Sequence, residues 1–378
     1  MEIINKTLEN YFVLANNLKQ EFNNKKYSFI KAVYIHGSFA RGEITPKESD
    51  INLMIFTKKK DILKKDIDLL SSIKENLDKK YSIKIEFKIN NIEKNSLKNI
   101  TTDMFYPYLY DFILNSFFIY GERIEDKLLN ILKAKTFFEF SFETTSVFSK
   151  IRIDFLESYF QENKYKMYYN LYKYSRLLKQ LKVNEEKIEN LVKKITDYKN
   201  IDKEEILKYI LKFEELLEKT DLKKIFENNK KLKLFLGSAI GGLVYNTKTK
   251  KILIIEDTKQ TCSFWSQSKN AKTKGKESLS EIKEEIEKNT GIENITIVNE
   301  KIGECHNWYE KEKNTFKKIQ TEYYYATTNC LKKINSKAKW IKLSEVKEYV
   351  SSPCLGYITK SFYQDFIKKI KEKSNKTI

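Results

Sequence analysis

The sequence predicts an α+β multidomain protein, with α/β sections at both ends and an all-α section between them. Its 378 residues exceed the roughly 100 to 200 residues that one domain usually takes, which predicts two or three units. Residues 125–230 contain no Gly, Pro, Trp or Cys, whereas all tryptophans, all cysteines and most glycines lie beyond residue 230. These zones of composition predict domains over 1–125, 126–230 and 231–378.

The spacing of apolar residues predicts the secondary structure of each zone. In the first zone a helix over Leu8–Phe22 precedes three β-branched runs, predicted as strands over Ala32–His36, Ile51–Phe56 and Ile83–Ile89. The middle zone repeats apolar residues three to four positions apart, which is typical of amphipathic helices. The last zone again combines strands with a helix, over Gly241–Tyr245, Ile252–Ile255, Ser278–Lys288 and Thr321–Ala326.

The most informative motif reads VYIHGSFARGEITPKESDINLMIF. A strand leads into the turn Gly37-Ser38, Gly42 follows in the loop, and a second strand opens with Asp50. A glycine lets a phosphate approach the backbone, where the serine hydroxyl and neighbouring amides can bind it. Because side chains two positions apart in a strand share a face, Asp50 and Asn52 can offer two oxygen ligands to one Mg²⁺.

A third oxygen ligand is available on the later strand YSIKIEFKI, in which Glu86 is the only acidic residue. Its apolar residues alternate with Glu86, so this carboxylate faces away from the apolar side of the strand. Asp50, Asn52 and Glu86 therefore form the candidate metal-binding set.

Residues 30–125 resemble the polymerase-β-type nucleotidyltransferase superfamily, particularly the minimal nucleotidyltransferases. The shared pattern is a Gly-Ser turn, a second glycine, an acidic pair and a third carboxylate on a later strand, with FFIYGERI as a weaker signal after it. The resemblance implies a catalytic set that binds Mg²⁺ or Mn²⁺, formed by Asp50, Asn52 and Glu86. It also implies a nucleotide-binding set for an NTP, with ATP expected, formed by Gly37, Ser38, Arg41 and Gly42.

One position departs from the family pattern. Asn52 stands where the family usually has a second acid, and an amide is a weaker metal ligand that cannot act as a base. The substitution leaves it open whether the site is active. Simpler structural roles also stay open: Asp50 and Glu86 as solvated strand acids, His36 as a packed side chain, and Arg41 as a solvated loop residue.

The C-terminal zone resembles a Nudix domain, which implies an α/β/α sandwich. The Nudix pattern aligns with this sequence when it is anchored on Gly291-Ile292, and the resemblance extends to KWIKLSEV at 339–346. In that register the degenerate phosphate site consists of Lys276, Glu284, Glu285 and Lys288. Of the metal-binding acids only Glu285 is kept, with Glu277 one residue out of register, so diphosphate hydrolysis is not expected. The lysines could bind a phosphorylated ligand directly, or the domain could be a structural cap.

The charge balance bears on possible partners. The chain has 71 basic and 52 acidic residues, a net charge of +19, which favours a polyanionic partner, although a general drift toward Lys explains it equally well. Only four residues are arginine, the side chain suited to bidentate base contacts, so sequence-specific DNA binding is not expected.

The widely spaced cysteines and the lack of an apolar run of ~20 residues predict a cytoplasmic protein with no membrane partner.

These features predict a metal-dependent nucleotidyltransferase that moves a nucleoside monophosphate from an NTP to an acceptor hydroxyl, joined to a non-hydrolytic Nudix-like domain. The helical domain would form one wall of the acceptor cleft. Its Tyr-rich stretch KYKMYYNLYKYSRL would either stack on a ring of the ligand or pack in the core. The acceptor stays open between a small molecule, a protein and an RNA end. The competing hypothesis is a catalytically inactive nucleotide-binding sensor or scaffold protein.

Overall fold

The structure is a computed structural model. It describes residues 11–345 except for 12–13, 16, 24, 42–48, 59–62, 82, 92–103, 184, 195–201, 259–260, 264, 269–278, 313, 331–337 and 343–344. At some positions of the described helices and strands, Glu285 among them, only the backbone is described. Within these residues, no helix combines the length and the apolar character that a membrane crossing requires.

The N-terminal part of the chain forms a four-stranded sheet, here called sheet A. Its elements in chain order are a helix within 11–22 (α1), β1 (Ile30–His36), α2 (Ser38–Arg41), β2 (Ile51–Thr57), α3 (Lys64–Tyr81), β3 (Ile85–Asn91), α4 (Tyr106–Asn115) and β4 (Phe117–Gly121). The strand order is β3-β2-β1-β4, in which β2 and β3 are parallel and the other neighbours are antiparallel. The strands predicted in the Gly-Ser motif are therefore present as β1 and β2.

The third strand begins later than predicted. It runs over Ile85–Asn91 instead of Ile83–Ile89. Its ladder with β2 begins at Ile51, the first residue of that strand, and the backbone N–H of Ile85 also donates to Asp78 Oδ1 at 2.8 Å. The start of β2 and a contact from α3 thus set the start of β3, and neither is visible within the β3 segment itself.

The last strand of sheet A ends at a glycine that no other residue could replace without a shift of the backbone. Gly121 has a φ of +91°, and a Cβ there would lie 2.0 Å from the carbonyl oxygen of Lys31 on β1. The Tyr-Gly signal in FFIYGERI therefore has a backbone cause, the close approach of β4 to β1.

The middle of the chain is helical, as predicted. Its helices are α5 (Glu125–Ala134), α6 (Phe137–Phe160), α7 (Lys164–Gln180), α8 (Glu185–Lys194), α9 (Lys203–Glu218) and α10 (Leu222–Lys230). Helix α6 begins with a capping box between Thr136 and Glu139. The apolar faces of these helices join one face of sheet A, which carries Tyr34, Met54 and Phe56, in a single buried cluster.

The C-terminal part forms a seven-stranded mixed sheet, here called sheet B. Its elements are β5 (Lys233–Asn246), β6 (Lys251–Thr258), β7 (Thr261–Ser263), β8 (Trp265–Ser268), α11 (Leu279–Thr290), β9 (Thr296–Glu312), β10 (Thr315–Thr328) and β11 (Ala338–Lys342). The order is β11-β6-β5-β10-β9, with β7 beside β6 and β8 beside β5. The predicted strand Gly241–Tyr245 lies within the longer β5, because the parallel ladder with β10 extends back to Lys233.

The two faces of sheet B are buried against different parts of the chain. One face packs on α11, where Ile240, Val244 and Ile286 share a cluster. The other face, which carries Leu243 and Tyr245, belongs to a cluster that also contains α1, α3 and the second face of sheet A. The predicted α+β multidomain class is confirmed, while the division of the chain at 125/126 and 230/231 stays a prediction.

A buried lysine of sheet B reaches into the other two parts of the chain. The side chains of Lys318 on β10 and Glu125 on α5 are 1% and 0% exposed, with 3.4 Å between Nζ and Oε1. Lys318 Nζ also donates to the carbonyl oxygen of Ile113, in the last turn of α4, at 2.9 Å and to Ser116 Oγ at 3.2 Å. A cation is stabilised at this end of a helix, where carbonyl groups lack helical partners.

Glu125 gathers further donors around the same lysine. Arg123 donates to Glu125 Oε1 at 2.8 Å, and the Tyr34 hydroxyl donates to Oε2 at 2.7 Å. Burial pushes the pKa of Glu125 upward, but Lys318, Arg123 and these hydrogen bonds outweigh it and lower the pKa to about 2. Burial lowers the pKa of Lys318 to about 8, although Glu125 acts in the opposite direction. Both groups are therefore charged at neutral pH.

Lys318→Met should destabilise the protein strongly, because it leaves the buried Glu125 carboxylate with one cation fewer. We expect the free energy of unfolding to fall by about 3 kcal/mol, as when one partner of a buried ion pair is removed. Urea unfolding measured by tryptophan fluorescence reports on sheet B, whose strands carry Trp265, Trp308 and Trp340.

The matched control is Lys317→Met, at the neighbouring half-buried position of β10. It should change the free energy of unfolding by less than about 0.5 kcal/mol. A Lys318→Met protein that is as stable as the Lys317→Met control would show that the ion pair does not hold sheet B against the rest of the chain.

Candidate functional site

The turn after β1 is built on a glycine for two reasons. Gly37 has a φ of +80°, the left-handed region that disfavours other residues. A Cβ at this position would also lie 3.2 Å from Asn52 Nδ2. The short helix α2 follows directly, and the Arg41 backbone N–H donates to the Gly37 carbonyl oxygen at 3.3 Å. The Gly-Ser turn therefore lies directly against Asn52.

The three candidate metal ligands lie on adjacent positions of sheet A. Asn52 on β2 is the register partner of Glu86 on β3 and of His36 on β1. Asp50 immediately precedes β2, and Asn52 Nδ2 donates to Asp50 Oδ1 at 2.7 Å. Glu86 Oε1 accepts a hydrogen bond from Lys84 Nζ. All three side chains are partly exposed, so a ligand can reach them.

This set fits a divalent cation in the type of its donors and is weak in charge. Asp50 and Glu86 offer carboxylate oxygens and Asn52 an amide oxygen, the ligand types that Mg²⁺ prefers. The amide nitrogen of Asn52 faces Asp50 and holds this carboxylate by a hydrogen bond. Within the described residues, no group of three or more His, Cys, Asp or Glu side chains is arranged to bind a metal ion. The candidate set has two acids instead of three, because its remaining member, Asn52, carries an amide.

A cleft of about 420 Å³ opens on the same face of sheet A. One wall consists of residues on β1, the turn after it, α2, β2 and β3, namely His36, Gly37, Arg41, Asn52, Met54 and Lys88. The opposite wall consists of residues on α4, α6 and α7, including Tyr108, Asp111, Lys150, Asp154, Tyr169, Lys173 and Arg176. The helical part of the chain thus forms one wall of the cleft, and the volume lies within the range of small-molecule sites.

The two walls are joined by a carboxylate that the sequence did not single out. Asp111 on α4 binds Arg41 NH1 at 3.3 Å and Arg176 NH1 on α7 at 2.6 Å, and these three side chains are only 11–14% exposed. Asn115 and Gln180 donate to the same carboxylate at 2.7 and 2.5 Å. The interpretation of Arg41 as a solvated loop residue is therefore wrong, because its guanidinium is largely buried against Asp111.

The cations around Asp111 keep it ionised. Burial pushes its pKa upward, but the guanidinium groups of Arg176 and Arg41 and the hydrogen bonds from Arg176 and Gln180 outweigh burial. The pKa of Asp111 therefore lies well below its ordinary value. The single carboxylate offsets one of the two positive charges of these arginines near neutral pH, so the trio keeps a net positive charge.

The remaining charges of the cleft are mostly lysines. Lys173 Nζ lies over the Tyr108 ring, 5.1 Å from its centroid, which is a cation–π distance. Burial and, to a lesser extent, Arg176 lower the pKa of Lys173 to about 8. Lys88 and Lys150 lie close enough to act in the same direction, while Asp154 acts in the opposite one.

Other candidate residues have more ordinary surroundings. His36 packs edge-on against Phe112, with 5.9 Å between the ring centroids, as the packed-histidine interpretation predicts. Ser38 is half-buried at the start of α2, and Gly42 lies outside the described residues. On the Tyr-rich helix α7, Tyr174 is buried in the core and Tyr169 lines the cleft, so core packing is confirmed for Tyr174 and stacking on a ligand stays a prediction for Tyr169.

The C-terminal candidates are not gathered into a site among the described residues. Glu284 and Lys288 are exposed on α11, one turn apart. Only the backbone of Glu285 is described, and Lys276 and Glu277 lie outside the described residues. The degenerate phosphate site therefore stays a prediction.

Sequence reasoning missed Asp111, Lys173 and Arg176. Asp111 is the only charged residue in the apolar helix YPYLYDFILN, and an isolated charge in a buried segment signals a partner. Lys173 and Arg176 follow Tyr169 at helical spacing, so the sequence indicates a polar strip along one side of α7. The partners of these residues come from other elements, and no local pattern identifies them.

Comparison with known proteins yields one family match. Residues 16–104 match the family described as polymerase beta, nucleotidyltransferase. No curated protein matches the chain.

Several solved structures are similar to about a third of the chain. An Ap4A hydrolase from C. elegans in a binary complex is 16% identical, covers 35% of this chain and 98% of its own, and gives a TM-score of 0.28. The dihydroneopterin triphosphate pyrophosphohydrolase of E. coli is 10% identical, with coverages of 33% and 93% and a TM-score of 0.26. A Nudix-family hydrolase from Clostridium perfringens is 12% identical, with coverages of 34% and 96% and a TM-score of 0.24. All three similarities are weak.

Asp111→Asn should destabilise the protein, because two largely buried guanidinium groups lose their counter-charge. We expect the free energy of unfolding to fall by about 3 kcal/mol at pH 7, as for a broken buried ion pair. The pKa of Asp111 is lowered in the folded protein, so its stabilising contribution is complete above the ordinary value of 3.8 and is lost at lower pH. Urea unfolding measured by circular dichroism should show the difference from wild type narrowing below pH ~4.

The matched control for this prediction is Asp154→Asn, which removes the same charge from the same cleft. Asp154 is half-buried on α6 and makes no ion pair with another described residue. Its replacement should cost less than about 1 kcal/mol. Equal losses in the two variants would show that Asp111 does not join the walls of the cleft.

Proposed function

We propose that this chain, whose residues 16–104 form a polymerase beta-type nucleotidyltransferase domain, transfers a nucleoside monophosphate from an NTP to an acceptor hydroxyl. ATP is the expected donor, and Mg²⁺ or Mn²⁺ is the expected metal. In this reaction the acceptor oxygen forms a bond to the α-phosphorus, and the bond from that phosphorus to the bridging oxygen breaks. Pyrophosphate leaves with the bonding electron pair, and the hydroxyl proton passes to a base.

The observation that carries this proposal is the proximity of Asp50, Asn52 and Glu86 to the Gly37 turn. Asn52 contacts both the turn and Asp50, and its register partner is Glu86. The cleft beside them is mostly cationic, which favours a polyphosphate. The proposed phosphate-binding backbone and the proposed oxygen ligands therefore lie beside the positive charge of the cleft, at one edge of sheet A.

Each residue of the candidate catalytic set has a separate proposed role. Asp50 and Glu86 hold the metal ion and are the members of the set that can take up the hydroxyl proton, since an amide cannot. Asn52 orients Asp50 through its hydrogen bond. A bound Mg²⁺ would supply positive charge to the phosphate oxygens.

The nucleotide-binding residues divide into direct and indirect contributors. Gly37 and Ser38 would hold the triphosphate through the backbone and the hydroxyl, together with Gly42, which follows Arg41 in the sequence. Arg41 is bound to Asp111, so it acts on the nucleotide through its fixed charge and by holding α2 against α4. This makes Arg41 a positioning residue as much as a phosphate ligand.

The C-terminal domain would not hydrolyse diphosphates. Glu285 is the only acid kept in the register that the Nudix resemblance gives, and one carboxylate does not assemble the metal cluster that such hydrolysis uses. Lys276 and Lys288 stand at two former acid positions and would bind a phosphorylated ligand directly.

A second candidate function is a catalytically inactive nucleotide sensor or scaffold. Asn52 favours it, because the amide removes one negative charge from the metal-binding set. Incubation with each labelled NTP and Mg²⁺ or Mn²⁺ separates the two functions. Label transferred to the protein, to RNA or to small hydroxylated compounds indicates the transferase and its acceptor class. Metal-dependent binding of ATP with no label transferred indicates the sensor.

Asp50→Ala should abolish the metal-dependent part of ATP binding, because it removes a carboxylate ligand and the hydrogen-bond partner of Asn52. We expect Mg²⁺ to raise the ATP affinity of the wild type by at least about tenfold, or ~1.4 kcal/mol, and to have no effect on the variant. Isothermal titration calorimetry with and without Mg²⁺ measures both affinities.

Asp68→Ala is the control, since Asp68 is an exposed acid on α3 outside the cleft. It should bind ATP as the wild type does, with the same response to Mg²⁺. If Mg²⁺ leaves the ATP affinity of the wild type unchanged, or raises that of Asp50→Ala equally, the site assignment is wrong.

A further inference from the structure

We propose that the helical wall of the cleft is a binding site for a compact anionic group of the acceptor, a phosphate or a carboxylate, held by Lys150 and Lys173. The inference rests on the proposed function, because an acceptor is required only if the opposite wall handles a nucleotide. It narrows the acceptor to a small hydroxylated molecule that carries negative charge.

The two lysines come from different helices and meet at one surface. Lys150 lies on α6 and Lys173 on α7, and both line the cleft opposite β1, β2 and β3. Tyr169, one turn before Lys173, lines the same wall, and the Tyr108 ring lies beneath the Lys173 ammonium. Two cations flanked by aromatic rings form a surface on which a small anionic molecule can be both charged and packed.

The charge balance of this wall is the main argument. Arg176 has a carboxylate partner in Asp111, which lies 2.6 Å away and is shared with Arg41. Within the described residues, no carboxylate lies within ion-pair distance of Lys150 or Lys173, and Asp154 is the acid whose charge raises the pKa of Lys173. The positive charges of these two lysines are therefore offset only in part, by Asp154.

This concentration of like charge costs free energy. The pKa of Lys173 is lowered to about 8, first by burial and then by Arg176, with Lys150 and Lys88 contributing. Placing an ammonium group where its charged form is disfavoured is unusual for a side chain with only a structural role, since an apolar residue would pack there without that cost. A bound anion would offset both the desolvation and the repulsion.

The position of the lysines favours the acceptor over the NTP as the source of the anion. Gly37 and Asn52 line the sheet wall of the cleft, and Ser38, Asp50 and Glu86 are their neighbours in the chain or the sheet. Lys150 and Lys173 belong to the facing wall, so a molecule bound to them faces the nucleotide across the cleft. A polycationic acceptor would be repelled by the same charges.

Binding of inorganic phosphate to the full chain tests this site directly. The chain is first saturated with the α,β-methylene analogue of ATP and Mg²⁺, which occupies the proposed nucleotide position, and phosphate is then titrated by calorimetry. We expect phosphate to bind this complex, and the double variant Lys150→Met, Lys173→Met to lose at least tenfold in affinity. The double variant with Arg at both positions should retain binding. Titration with acetate in parallel shows whether phosphate or carboxylate is preferred.

The double variant Lys208→Met, Lys212→Met is the matched control. Both lysines lie on α9 away from the cleft, and Lys212 Nζ lies over the Tyr209 ring at 5.2 Å, much as Lys173 lies over Tyr108. It removes the same charge and should bind phosphate as the wild type does. Thermal unfolding of all variants checks that each one is folded.

Two results would overturn the proposal. Phosphate that does not bind the nucleotide-loaded wild type would mean that the nucleotide uses the lysines, and phosphate that binds the Lys150, Lys173 variant with unchanged affinity would mean that they do not form a site. If the ATP analogue does not bind at all, the proposed function fails. In that case phosphate titration without the analogue still tests the lysine site. Loss of phosphate binding in the Lys150, Lys173 variant supports the site, and unchanged phosphate binding rejects it.

Discussion

The cleft of this protein depends on one buried carboxylate. Asp111 lies on the helical wall and binds Arg41 from the sheet wall and Arg176 from its own wall, so one ion pair joins the two walls and the other joins α4 to α7. Such an arrangement is stable only if the carboxylate stays ionised, and the two guanidinium groups lower its pKa enough for that. The same interaction offsets one of the two arginine charges, so a ligand in the cleft meets the remaining arginine charge together with the charges of the lysines.

A second buried cation connects the C-terminal part of the chain to the cleft. Lys318 of sheet B binds the last turn of α4, the helix that carries Asp111, and also Ser116, which lines the cleft. The C-terminal part of the chain is thus part of the scaffold of the N-terminal site, whatever ligand it binds itself. The loss of acids from the Nudix-like register is compatible with this scaffold role. Holding α4 in place requires Lys318 and the face of sheet B, and it requires no metal.

The local features of the site could be predicted from the sequence, and its long-range features could not. Gly37, Asp50 and Asn52 lie within sixteen consecutive residues, where turn chemistry and strand periodicity are informative. Glu86 could be added because the alternation of its strand leaves one acid on the polar side. Asp111 and Lys318 were missed because each is defined by partners more than fifty residues away, which no pattern within one element reveals.

The metal response of Asn52→Asp tests most directly whether the edge of sheet A is a metal-dependent nucleotidyl-transfer site. Asn52 donates a hydrogen bond to Asp50, so the variant places two carboxylates against each other and should unfold at a lower temperature than the wild type in the presence of a chelator. Mg²⁺ should reverse that loss and raise the unfolding temperature more in the variant than in the wild type. Asn115→Asp creates the same contact with Asp111 in the same cleft and should show no response to Mg²⁺. Unfolding temperatures that do not respond to Mg²⁺ or Mn²⁺ in either the wild type or Asn52→Asp would contradict the assignment of a metal site at this edge.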